Sequence, residues 1–232
     1  MRRTTLVYMR RIIGLSPEDV RHLQTQFTSI IFDEAKGYGF VDTRLKGSLL
    51  STTLALRRVF HQTIFDPDSS TFSREASIYF EQIPLIIDSR FKTLEIYSNA
   101  DNARQVIVIM AELLNFRLAM PSLDFSPPRV LGIVSKARPG VSLRKFVAQN
   151  FAARPGVSGR YSPEVTDSVS GMALIEAHPE EITQVAFVAD LRIEAEVKLA
   201  VSRTGGLAIT CDEDNVAAAL SELKGLLLGV ES

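Results

Sequence analysis

Asp190, Glu196 and Lys198 come nearest, among the residues of this chain, to a catalytic spacing. On a strand, Glu196-x-Lys198 sets a carboxylate and an ammonium on one face, where with Asp190 they can hold Mg²⁺ and polarise a water, the chemistry of a metal-dependent nuclease. The alternation of Glu194, Glu196 and Lys198 equally describes the wet face of an antiparallel strand, and Asp190 is close to the pair for such an enzyme. The three histidines, His22, His61 and His178, have no paired spacing that would build a metal site on one helix. Cys211 stands beside Asp212 and Glu213, whose charges raise a thiol pKa, so it reads as structural. No phosphate-binding glycine loop of the P-loop or dinucleotide type is present. The expectation is a non-enzymatic chain with no catalytic residue, metal or cofactor, and an Mg-dependent nuclease using Asp190, Glu196 and Lys198 stands as the second alternative.

The stronger chemistry is electrostatic. Residues 1–124 are nearly neutral, residues 125–163 carry seven Lys/Arg and no Asp/Glu, and the remainder carries four basic residues against 13 acidic ones. Such segregation points to a partner of opposite charge. Inside the basic block a phrase repeats verbatim, Ala137-Arg138-Pro139-Gly140-Val141-Ser142 and Ala153-Arg154-Pro155-Gly156-Val157-Ser158. Pro-Gly favours a type II turn, because proline fixes a negative φ and glycine accepts the positive one that follows. Each copy thus presents an arginine beside a tight bend. Between them a short helix is expected over Leu143 to about Phe151, with Arg144 and Lys145 in a first turn whose free amides attract anions. Arg160-Tyr161 adds a cation and an aromatic that can stack on a base. The candidate nucleic-acid contacts are Lys136, Arg138, Arg144, Lys145, Arg154, Arg160 and Tyr161. The plainer reading is a solvated loop, or one paired with the acidic C-terminal half.

These residues must be positioned by a fold. With 232 residues and 46% hydrophobic content, the chain can bury a sizeable core or two smaller ones. Asp101-Asn102 and Asp214-Asn215 each precede apolar residues spaced for one helical face, namely Ala103, Val106, Ile107, Met110, Leu113 and Leu114, then Val216, Ala219, Leu220, Leu223, Leu226 and Leu227. Gly14-Leu15-Ser16 and Gly140-Val141-Ser142 form an upstream pair. Strands are expected at Thr5–Ile13, Ile30–Phe32, Gly39–Leu45, Leu49–Phe60 (a helix being open there), Ala76–Ile87 and Phe91–Tyr97, with a helix from Pro17 to about Phe27. After the linker, strands are expected at Val130–Ser135, Met172–Ala177, Gln184–Ile193, Glu196–Ser202 and Leu207–Cys211. The class is α+β: two related units of strand-helix-antiparallel meander-helix in a pseudo-two-fold arrangement, 1–120 and 129–232, joined by a Pro-rich linker at 121–128.

Leu199-Ala200-Val201-Ser202-Arg203-Thr204-Gly205-Gly206-Leu207-Ala208-Ile209-Thr210, running into the final helix, resembles the TATA-binding protein and its structural relatives, and the order of elements resembles theirs along the rest of the chain. The resemblance implies a duplicated saddle that binds DNA. The paired phenylalanine wedges of that family have no counterpart, and helix-grip ligand-binding folds share the element order. Lys36-Gly37-Tyr38-Gly39-Phe40-Val41-Asp42-Thr43 resembles the RNP1 strand of RNA-recognition motifs, with Val7–Ile12 as its partner strand, which implies exposed aromatics that stack on bases.

The functional expectation is a binding protein that engages nucleic acid or another polyanion through residues 129–160. The first alternative is a protein-interaction subunit of a larger assembly, including a homo-oligomer. No stretch is apolar for long enough to span a membrane and no secretory signal is evident, so the expected location is cytoplasmic.

Overall fold

The computed structural model describes residues 1–123, 125–138, 140–154 and 157–229, with side chains described for all of these but Asp66, Ala152, Ala153, Arg154 and Val157. In chain order the elements are β1 (Arg2–Arg11), α1 (Pro17–Ser29), β2 (Tyr38–Lys46), β3 (Leu49–Asp66), β4 (Thr71–Asp88), β5 (Thr93–Ile96), α2 (Ala100–Leu113), α3 (Pro127–Ala137), β6 (Ser142–Arg154), β7 (Val157–Tyr161), α4 (Ser168–Ala177), β8 (Ile182–Ala189), β9 (Val197–Ser202), β10 (Gly206–Asp212) and α5 (Val216–Leu228). The class is α+β, and the pairs β1–β10, β10–β9, β9–β8, β8–β6, β6–β7, β2–β3, β3–β4 and β4–β5 are all antiparallel. No helix among the described residues is long and apolar enough to cross a membrane.

The compact units do not follow a cut near residue 121. One comprises Met1–Arg11, Tyr97–Ala103 and Met120–Ser232; the other is Ile12–Ile96 with Arg104–Ala119. The physical reason is that β1 pairs antiparallel with β10 from Arg2↔Asp212 to Tyr8↔Gly206, which ties the N-terminal strand to the C-terminal part of the chain.

In the inserted unit the strands run in the order β2-β3-β4-β5. Helix α1 starts where Ser16 Oγ accepts from the Asp19 N–H and Asp19 Oδ2 accepts from the Ser16 N–H at 3.0 Å, with Pro17 just inside. Val20, Leu23 and Phe27 then fall on one buried stripe, and the Phe27 ring packs on Phe40 at 4.4 Å. The bonds from Ser16 and the nearby Arg117 hold the Asp19 carboxyl below the ordinary aspartate range. A depressed folded-state pKa contributes stability above the unfolded value and loses it as pH falls through the folded one. Asp19→Asn is therefore expected to cost about 1 kcal/mol at neutral pH, with the gap to wild type closing below about pH 4, as read by urea melts at several pH values.

Strand β3 is extended throughout, with Leu50, Thr52, Leu54 and Leu56 buried at period two, which removes the helical option. Ile30–Phe32 forms no strand: Ile30 caps α1, and the segment passes so near β2 that a Cβ on Gly39 would lie 2.0 Å from the Ile31 carbonyl oxygen. Tyr38 and Phe40 are core residues, 5% and 3% exposed, so the RNP1-like strand does not offer its rings for base stacking.

In the other unit the order is β1-β10-β9-β8-β6-β7. One face buries Val7, Leu199, Val201, Val185, Phe187, Ile209 and Cys211 against α3, α4 and α5. Three expected elements differ. Val130–Ser135 is helical, because Pro127 and Pro128 open a helix whose Val130, Leu131 and Val134 share a buried face. Met172–Ala177 lies in α4, started by Asp167, whose carboxylate accepts from the Val169 and Ser170 N–H groups. Leu143–Phe151 is strand, not helix. Gly14 and Gly140 share a φ of +79°, yet Ser16 heads a capping box and Ser142 does not, so a helix follows one and a strand the other. The order strand-helix-meander-helix thus holds for β1 to α2; after residue 129 only its helix-meander-helix part recurs, as α4, β8–β10 and α5.

Candidate functional site

The second face of the β1-β10-β9-β8-β6-β7 sheet carries a different set of residues. Register places Thr4, Thr210, Lys198 and Val188 in one row across β1, β10, β9 and β8, and Leu6, Ala208, Ala200 and Ala186 in the next. Because side chains alternate along each strand, these rows lie opposite the core, and their small members form a low platform. A groove of about 490 Å³ runs over it, lined by Thr4, Thr210, Lys198 and Val188 of the first row, by Ala208, Ala200 and Ala186 of the second, and by Arg144 and Glu196.

Two cations reach this face through an irregularity of β6. Leu143 pairs with Phe187 and Lys145 with Ala186, leaving Arg144 as the extra residue of a bulge. Both Arg144 and Lys145 are exposed as a result. Lys145 joins Arg160, Ser162 and Gln184 around a smaller depression of about 160 Å³ that shares Ala186 with the groove. Among the described residues, Arg144, Lys145, Arg160 and Lys198 form no ion pair, and Glu196 is the one carboxylate in the two linings. Low walls with an excess of positive charge over the single Glu196 carboxylate concentrate a field at the sheet surface. At the end of β1 the Tyr8 ring lies over Gly206, where a Cβ would meet two of its carbons at 3.0 Å, so an aromatic belongs to this face too.

The sequence-derived contacts separate into groups. Arg144, Lys145 and Arg160 come together on the open face. The expected helix beneath Arg144 and Lys145 is absent, so attraction of phosphate to its N-terminus falls away with it. Arg138 is removed by its own partner: its Nε and Nη2 both donate to Glu222 Oε1 on α5, the first at 2.7 Å, and the pair is largely buried. Glu222 Oε2 also accepts from the Arg192 N–H at 2.9 Å. Lys136 sits in the last turn of α3, within the helix layer, where a cation complements the helix dipole. Tyr161 faces that layer as well; its ring stacks on Phe151 at 5.2 Å and meets Phe146 edge-on, while Phe151 abuts His178. It is not aimed at a ligand beside Arg160. The side chain of Arg154, with Pro155 and Gly156, lies outside the described residues.

Glu196 and Lys198 share the groove, as the alternation requires, but Asp190 Oδ1 accepts from the Glu196 N–H at 3.0 Å and fastens the β8–β9 connection. Glu194 accepts from Asn215, from the Asp212 N–H and from Arg2, and these bonds, that of Asn215 foremost, hold its carboxyl below the ordinary range. Among the described residues no three His, Cys, Asp or Glu side chains are grouped to hold a metal. Burial, with Glu194 and Asp212 nearby, raises the Cys211 thiol pKa, as suits a core cysteine. Sequence reading missed Lys198 as a cation of this face, although the period-two alternation carried the signal; Tyr8 and the alanine row needed the register. Comparison of the chain with protein-family models and with curated proteins finds no match.

Proposed function

We propose that this chain is a non-enzymatic protein that binds nucleic acid along the open face of the β1-β10-β9-β8-β6-β7 sheet, with Arg144, Lys145, Arg160 and Lys198 as phosphate contacts and Tyr8 as a stacking platform. One observation carries the reading: four cations on one face have no ion-pair partner among the described residues, while the floor between them is low and lined by alanine and threonine. An extended strand can lie close to such a floor, its phosphates reaching the cations and a base reaching Tyr8. Contacts of this kind give weak sequence preference and steep salt dependence.

Fluorescence anisotropy of a labelled single-stranded oligonucleotide across a salt series tests the reading. Four phosphate contacts give a slope of about −3 in log K against log salt, and each cation removed flattens it by about 0.7. Replacing Arg144, Lys145, Arg160 and Lys198 together by alanine should abolish binding at low salt, and Tyr8→Ala should weaken it roughly ten-fold. Retention of wild-type affinity by the quadruple variant overturns the assignment, and binding of duplex or heparin with the single strand excluded overturns the ligand.

A further inference from the structure

Beyond Leu56, strand β3 loses β2 as a neighbour, since their pairing ends at Tyr38↔Leu56, and β5 accompanies β4 only over Leu85–Asp88. Residues 57–80 therefore form a two-stranded ribbon, paired without a break to Asp66↔Thr71, with no third strand beside it among the described residues. A bare hairpin is marginal in water, and free strand edges with apolar faces invite pairing.

The two faces of the ribbon are unlike. Register and alternation put Arg57, Val59, His61, Thr63 and Phe65 on one face with Phe80, Ile78, Ala76, Arg74 and Phe72. Six of these ten are apolar, and Val59, Phe65, Phe72, Ile78 and Phe80 are all at least half exposed, from 50% to 73%. The opposite face alternates Phe60, Ile64 and Tyr79 with Gln62, Ser73, Glu75 and Ser77.

We propose that the apolar face of this ribbon is a dimerisation surface whose occupant is the same face of a second copy of the chain, packed about a two-fold axis near the His61–Ala76 pair. Size and charge both favour this occupant. Five half-exposed large side chains offer roughly 450 Å² of apolar surface per copy, so a symmetric pair buries close to the ~1,000 Å² a specific interface needs. With the two-fold set across the ribbon the pair runs antiparallel, which sets the tip of each ribbon at the base of the other. The tip turn Asp66-Pro67-Asp68 is acidic and the base carries Arg57, whose own pair with the exposed Glu34 spans 3.7 Å. Phe80 of one copy then faces Phe65 and Phe72 of the other, Val59 and Ile78 face Thr63 and the aliphatic stem of Arg74, and Ala76 leaves room at the axis. The same acidic tip opposes insertion into a lipid layer. This inference goes beyond the nucleic-acid reading and uses other residues.

Light scattering on the full chain over a dilution series should find a dimer. Ile78→Arg, which would face Arg74 of the other copy, and Phe72→Glu alter exposed positions and should each weaken dimerisation by roughly 100-fold or more, with an unchanged urea midpoint in the monomer range. His61→Cys should form an intermolecular disulfide on air oxidation, because Cys211 is buried, whereas Asp68→Cys should not. A wild-type monomer at all concentrations overturns the proposal, whether or not it binds vesicles or another protein. Dimers that survive both substitutions, or cross-linking at Asp68→Cys in place of His61→Cys, overturn it as well.

Discussion

Gly39→Ala is expected to unfold the inserted unit or to leave it destabilised by at least about 3 kcal/mol, read as loss of the native urea transition or as insoluble expression. The added methyl would stand 2.0 Å from the Ile31 carbonyl oxygen, 2.6 Å from the Ile31 carbonyl carbon and 2.5 Å from the Phe32 Cα. All three are backbone atoms, so no side-chain rotation relieves the clash. The segment also cannot retreat cheaply, because the Ile30 carbonyl accepts from the Phe40 N–H at 2.8 Å and Asp33 donates to the Tyr38 carbonyl at 2.9 Å. Moving it would break both bonds and unseat the Phe27–Phe40 contact beneath them. A wild-type midpoint for Gly39→Ala would mean that this close approach is not part of the native fold.

Glu222→Ala should be the most damaging change near the first Arg-Pro-Gly bend, at a cost of about 3 kcal/mol, because it strands the Arg138 guanidinium in a site where that side chain is 16% exposed. Glu222→Gln keeps an acceptor and should cost less. The double variant Arg138→Met/Glu222→Leu should recover most of the loss, since a buried ion pair can be exchanged for packed apolar side chains with little penalty. A double-mutant cycle from urea melts measures the coupling directly. The same variants separate two roles for Arg138. As an internal tie it lowers stability when removed and leaves the oligonucleotide salt slope untouched; as a phosphate contact it would flatten that slope by about 0.7.

The sequence was most readable where local chemistry and burial agree. Ser16, Pro17 and Asp19 announce α1, whereas Leu49–Phe60 admitted a helix in sequence and only the burial of Leu50, Thr52, Leu54 and Leu56 at period two makes it strand. It was least readable in residues 127–177. The β-branched run Val130 to Ser135 looks like a strand unless Pro127-Pro128 is taken as a helix start, and Leu143 to Phe151 loses its alternation because two bulges shift the register of β6. The outer ribbon escaped notice beyond Phe60 and before Ala76 because its central pairs, Gln62↔Glu75 and Thr63↔Arg74, are polar and carry no burial signal. Of the basic residues, the block itself was visible, but which of them face one surface depended on a bulge, and the capture of Arg138 depended on a helix more than 80 positions downstream.

The pairing of β1 with β10 also fixes when the unit that holds the cationic face can form. Arg2 must wait for Asp212, roughly 200 residues later, which at the usual pace of translation is some 10–40 s. During that interval the nascent strand Leu6-Val7-Tyr8-Met9 has no partner, so this unit cannot close until β10 has been made, and the long-range pairing it needs slows its folding.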